Sequence, residues 1–136
     1  MSEDPSAQQA TIIRIVPDEV RGFVRIQVIG RFPMRDASQR QAEVASAHPG
    51  MHRLWDLREA DLSNWTRQEI RGGIEAIASR TPPIAKDELR VAALVTRDLD
   101  YGVARMFESM ASGSLPIRYA VFRDEPRALE WLATGE

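Results

Sequence analysis

The chain contains no cysteine. That excludes disulfides, iron–sulfur clusters, thiolate zinc sites and cysteine nucleophiles. Histidine is almost as scarce, at two residues, and Lys86 is the only lysine, so seventeen of the eighteen cationic side chains are arginine. Neither charge sign dominates: twenty acidic residues against eighteen basic ones leave a net charge of −2. That is too little to hold nucleic acid by bulk charge, and no nucleic-acid partner is expected. No apolar run approaches the roughly 18–20 residues that span a bilayer, so an integral membrane protein is not expected. The opening MSEDPSAQQA has no basic n-region and no apolar h-region, does not read as a secretory signal, and leaves a cytoplasmic location as the expectation. A glycine-rich phosphate loop, a dinucleotide fingerprint, a nucleophile elbow and a Ser–His–Asp ordering are all missing.

What remains is the composition of one folded domain. The chain has 136 residues, 43% hydrophobic and 28% charged, which is enough to bury a single full core. Residues 1–10 read as a loose polar tail, 11–133 as the domain and 134–136 as a short C-terminal tail.

Hydrophobic period gives the element order. Thr11–Val16 is a β-branched run that stops at Pro17, and Phe23–Ile29 alternates, with Val24, Ile26 and Val28 on one face. Joined by a short turn, the two read as an antiparallel hairpin. Pro33 suits a first helical turn, and a helix with a thin apolar stripe is expected over Met34–Ala47, ended by Pro49-Gly50. Met51–Leu57 reads as a strand. Asp61, Ser63 or Asn64 can cap the next helix, Thr66 with Glu69 fits a capping box, and the buried stripe expected is Ile70, Gly73, Ile74, Ile77 and Ala78. Gly72-Gly73 lies inside that helix, where close backbone packing is the simplest reason for two glycines.

Arg80–Arg90 is a proline-interrupted connector, and Val91–Thr96 is a continuous apolar run of the kind covered on both faces in a parallel sheet. Asp98 or Asp100 is expected to cap the next helix, whose stripe is Leu99, Val103, Met106, Phe107 and Met110. Gly113 ends it, Ile117–Phe122 makes a last strand, and Asp124 with Pro126 opens a final helix through Leu132. The order β-β-α-β-α-β-α-β-α implies an α/β (α+β) single domain with a small mixed sheet.

Three stretches carry a resemblance: HRLWDLREADLSNW, RVAALVTRDLD with its following helix, and IRYAVFRDEPRALEWL. The last has a strand ending in Phe122-Arg123, an acidic residue, then Ala128-Leu129 and Trp131-Leu132. Over residues 11–133 the chain resembles the STAS domain of anti-sigma-factor antagonists and sulfate transporters, and within it the SpoIIAA-like, STAS/SEC14-like branch. The resemblance implies a compact, cytoplasmic, non-enzymatic module that binds a protein partner or a small apolar, lipid-like ligand, with no cofactor. It also implies a kinase-modified serine in an Asp-Ser-Ser-Gly type motif at the helix after the third strand. Here Asn64-Trp65-Thr66 stands in that register with Trp65 where small residues are usual, leaving Thr66 or Ser63 as positions for modification.

Ligands in open α/β sheets bind beyond the carboxyl ends of the strands. That end would hold Asp56, Asp98 and Asp100, as helix caps or, in an enzyme, as paired carboxylates. Trp65 and Tyr101, each at a helix start, would stand at the mouth of an apolar pocket or simply cover the sheet end, and Met106 and Phe107 would line the pocket or simply pack the core. The candidate binding residues are therefore Asp56, Trp65, Thr66, Asp98, Tyr101, Met106 and Phe107. His48 and His52 stand four apart, but Pro49-Gly50 separates them and a four-residue strand step is about 13 Å, so no metal site is expected. A structural, oligomer-forming protein is the remaining alternative.

Overall fold

The computed structural model describes residues 11–80, 89–115 and 117–136. The tail read at 1–10 and most of the connector read at 80–90 lie outside the described residues. One five-stranded sheet has the order β1-β2-β3-β4-β5. β1 (Ile12–Asp18) and β2 (Phe23–Arg31) form the antiparallel hairpin. β3 (His52–Asp61), β4 (Arg90–Leu94) and β5 (Arg118–Phe122) follow in parallel. The three parallel crossovers all step in one direction, so right-handed connections put their helices on one face. Those helices are α1 (Met34–Ala47), α2 (Arg67–Arg80) and α3 (Asp98–Ala111). The last helix, α4 (Glu125–Thr134), covers the opposite face.

Two cores follow from this arrangement. The larger one joins Val24, Ile26, Val28, Trp55, Val91 and Ala93 of the sheet to Val44, Ile70, Ile74, Ala104 and Phe107 of the three helices. On the other face Leu54, Ala92 and Leu94 pack against Ala128, Trp131 and Leu132. Every residue from Val91 to Val95 is therefore buried, which is why that stretch is apolar throughout.

β3 runs four residues beyond the expected end at Leu57. The reason is a bulge: Gln27 pairs with Asp56, but Ile29 pairs with Glu59. One extra residue in β3 reverses the alternation, so Trp55 and Leu57 enter the larger core before the bulge and Ala60 and Leu62 enter it after. A constant period of two ends at that point, although the strand does not.

The expected aspartate caps on α3 are not formed. Arg97 occupies the N-cap position, and Asp98 and Asp100 both lie in the first turn. The buried row is also rotated from the expected stripe. Asp100, Ala104, Phe107 and Ala111 face inward, while Leu99 points out. By contrast, Thr66 Oγ1 accepts the Glu69 backbone N–H at 3.1 Å, so of the caps read for α2 the Thr66–Glu69 one is formed, while Ala78, read into the buried stripe, is exposed.

The glycine pair divides into two cases. A Cβ on Gly73 would lie 2.5 Å from two Met34 side-chain atoms, whereas one on Gly72 would meet nothing within 4 Å. Gly73 thus sets the approach of α1 to α2. Gly73→Ala is expected to destabilise by about 1–3 kcal/mol, and Gly72→Ala to stabilise by about 0.5–1 kcal/mol. Urea unfolding of the two variants checks this, and the opposite order would refute the packing account.

His52 ties β3 to β4, accepting the Arg90 backbone N–H at Nδ1 over 2.9 Å. Burial, with Arg90 and Arg53 nearby, holds its pKa below the ordinary value. Such a group stabilises the fold above its unfolded-state pKa, and that stability is lost as pH falls through the lower folded-state value. Between about pH 7 and about pH 5 the wild type should therefore lose more unfolding free energy than His52→Gln, which keeps an acceptor but does not titrate. Parallel pH profiles would remove His52 as the cause.

Candidate functional site

The carboxyl ends of β3 and β4 meet at two short loops. In the first, Ser63 donates its backbone N–H to Asp61 Oδ1 at 2.9 Å, and the Trp65 N–H reaches the Leu62 carbonyl at 3.0 Å. Hydrogen bonds from Ser63 hold the Asp61 carboxyl below its usual range. These local bonds turn the chain from β3 into α2 and aim Trp65 inward. Its indole Nε1–H donates to the Phe32 carbonyl at 2.6 Å. Trp65 is buried in a row of aromatic rings from Trp55 through Phe32, Trp65 and Phe107 to Tyr119, with neighbouring centroids 4.9–6.2 Å apart. Burial pushes the Tyr119 phenol up from its ordinary pKa.

An apolar cavity lies beside Trp65 and Phe107, and Met34, Trp55 and Tyr119 also line it. Its volume is only about 40 Å³. A drug-sized or lipid-like ligand needs roughly 300 Å³ or more. Trp65 is therefore a core residue that seals the sheet end, and it is not a pocket mouth. Met106 is half-buried against the same core.

In the second loop, Arg97 donates Nε–H to Asp100 Oδ2 at 2.6 Å and Nη2–H to the Ala60 carbonyl at 2.8 Å. It staples the first turn of α3 to the end of β3. Between the two loops lies an open groove of about 300 Å³, lined by Asp61, Leu62, Ser63, Arg97, Leu99, Asp100 and Val103. Leu99 is 76% exposed at its edge. On the far side of α3, Arg123 Nη2 donates to Asp98 Oδ1 at 2.7 Å, and its guanidinium lies 5.2 Å from the Tyr101 ring centroid. Tyr101 also receives Arg105, at 6.0 Å.

Asp56 lies elsewhere. It is on the α4 face of the sheet, buried, and Arg58 grips it from Nε and Nη2 at 2.9 and 2.8 Å. Arg25 reaches it at 3.4 Å, and both arginines also bind Glu125 of α4. Burial works against the charged carboxyl of Asp56, but the hydrogen bonds and charge of Arg58, with Arg25, outweigh it and hold its pKa low. The structure thus does not bring the three aspartates together: each is held by its own arginine, Asp56 by Arg58, Asp98 by Arg123 and Asp100 by Arg97. Thr66 and Ser63 are both exposed on the first loop, and only Ser63 lines the groove.

Sequence reasoning passed over Arg97, Arg123 and the exposure of Leu99. The signal available for Arg97 was its spacing from Asp100, three residues on and therefore within reach on one turn. It also passed over Arg53, which is buried on the face of Val24 and Val91, its register partners. Among the described residues its Nε has no hydrogen-bond partner, and burial lowers its pKa to about 10. Among the described residues no group of three His, Cys, Asp or Glu is placed to hold a metal ion, and no helix is long and apolar enough to cross a membrane.

Among solved structures, the chain is similar to an uncharacterised protein of the DUF3478 family with a SpoIIAA-like fold, from Shewanella loihica PV-4. The TM-score is 0.54 and the identity 21%, with 97% of this chain and 98% of that chain covered. No protein-family model matches the chain, and no curated protein matches it. The likeness establishes the fold: the described residues form an α/β domain with a SpoIIAA-like fold.

Asp56→Asn leaves Arg25 and Arg58 without their shared carboxylate, and a loss of about 2 kcal/mol is expected. Glu125→Gln, whose ion pairs are partly exposed, should lose less than about 1 kcal/mol. Urea denaturation measures both, and equal losses would deny Asp56 its place at the centre of the network.

Proposed function

We propose that this chain is a non-catalytic binding module that engages a protein partner at the groove between the β3–α2 loop and the first turn of α3. The observation that carries this reading is Leu99. The inward position of that turn belongs to Asp100, held by Arg97, so Leu99 is turned out to 76% exposure beside a groove of about 300 Å³. An apolar side chain surrounded by charged and polar groups is the arrangement of a protein interface, in which a few anchors sit within a polar rim.

The other readings have less support. An enclosed lipid-like ligand has about 40 Å³ available beside Trp65. An enzyme using Asp56, Asp98 and Asp100 needs carboxylates that share a cleft and at least one raised pKa, whereas each of these is paired with its own arginine. Ser63 lines the groove. A phosphate there would add nearly two negative charges beside Asp61 and Arg97 and change what the groove accepts, whereas Thr66 already spends its hydroxyl oxygen on the α2 cap.

A photo-crosslinking amino acid in place of Ser63, expressed in the native host, is expected to give one discrete protein adduct. Leu99→Asp should reduce that adduct about tenfold or more, while the same probe at the exposed Glu130 of α4 gives none. Adducts that ignore Leu99→Asp, or that arise equally from position 130, would overturn the assignment.

A further inference from the structure

β1 is the outermost strand of the sheet, paired with β2 along one edge only. An open edge presents unpaired N–H and C=O groups, and proteins that remain monomeric usually shorten it, charge it or cover it. This edge is seven residues long, IIRIVPD. Its side chains are unusually apolar for their exposure: Ile12 is 46% exposed, Ile15 37% and Val16 56%. They account for three of the five large exposed hydrophobic residues among those described. Ile12 and Val16 flank Arg14 on the α4 face, opposite Ile29 and Arg25, while Ile15 lies on the other face opposite Ile26. Among the described residues α4 packs on β3, β4 and β5 and does not reach that margin of the sheet.

We propose that β1 pairs antiparallel with β1 of a second copy of this chain, joining two five-stranded sheets edge to edge. Charge along the strand is what selects a second copy as the occupant. A two-fold axis perpendicular to the sheet keeps like faces together and must oppose one residue to itself, so few registers exist. Opposing Arg14 to itself sets two guanidinium groups against each other, which is unfavourable. Opposing Ile15 to itself overlaps the whole of Ile12–Asp18 but sets Arg14 diagonal to both Asp18 of the partner subunit and Arg14 of the partner subunit, so attraction and repulsion offset. Opposing Val16 to itself places Arg14 directly across from Asp18 of the partner subunit. In this last register two symmetric ion pairs bracket the contact of Val16 with its copy, and cross-strand neighbours at about 5 Å are within arginine's reach. Asp18 is one-third exposed, receives the Arg21 backbone N–H at 3.0 Å and lies 3.6 Å from the Arg21 guanidinium, so its carboxylate is held at the end of the strand. Pro17 has no N–H and shortens the ladder, which makes the association reversible.

Analytical ultracentrifugation of the full chain across a dilution series tests this. The wild type is expected to show a concentration-dependent monomer–dimer equilibrium. Val16→Lys should remain monomeric up to about 1 mM, and Arg14→Glu should raise the dissociation constant about tenfold, because attraction becomes repulsion at two positions. Circular dichroism melts confirm that both variants fold, and the edge position of both residues makes that readout independent. Three results would overturn the proposal. The first is a wild type that stays monomeric at about 1 mM. The second is a dimer untouched by Val16→Lys, which would lie on another face such as the β5 edge. The third is a dimer weakened by Val16→Lys but indifferent to Arg14→Glu, which would point to a strand-like peptide site without the two-fold charge match.

Discussion

One ten-residue helix closes the second face of the sheet, and the rest of the structure depends on how α4 is held there. A helix so short has little stability of its own in water. It is fastened at both ends. Near its start, Glu125 lies within 3.1 Å of Arg25 and 3.0 Å of Arg58, the two arginines that also share Asp56. Near its end, Arg90 donates to the Leu132 carbonyl and Arg118 to the Gly135 carbonyl, each at 2.9 Å. These are the carbonyls a helix leaves unsatisfied, and a cation there also meets the negative end of the helix dipole. With α4 in place, Leu54, Ala92 and Leu94 are buried, and β4 becomes the doubly covered centre of the domain.

The same account gives the arginine-rich composition a structural use. Planar guanidinium groups can bind a carboxylate with two parallel bonds or bridge two acceptors at once, which an ammonium does poorly. Arg58 does the first with Asp56, and Arg97 does the second between Asp100 and Ala60. Carboxylates held this way are structural anchors. The polar chemistry of the strand ends has largely been spent on fixing loops, and what those loops leave outward is Leu99 and the groove beside it.

Packing and openness are distributed unevenly as a result. Three helices press an aromatic row against one face with a void of only about 40 Å³, consistent with a core filled nearly to crystal density. Among the described residues the open regions lie at the margins, and they include the groove above α3 and the apolar edge of β1, which the last helix does not reach.

Local features were legible in the sequence because their causes lie within a turn or two of one another. The span Met34–Ala47, the Thr66–Glu69 cap, the alternation of β2 and the all-apolar run of β4 each follow from period, capping or two-sided burial. The mixed-sheet order and its resemblance to the SpoIIAA-like fold followed from those elements. The site was less legible. Thr66 and Asp98 lie at the strand ends as read, but Asp56 faces the opposite side, Trp65 is sealed in the core, and Leu99 is outside it. Tertiary structure decided these points for three physical reasons. One extra residue at the β3 bulge changes which side chains face the core. A buried aspartate beside an arginine rotated the inward row of α3. And the pairing of Arg25 with Glu125 joins residues a hundred positions apart, a meeting that no local pattern encodes.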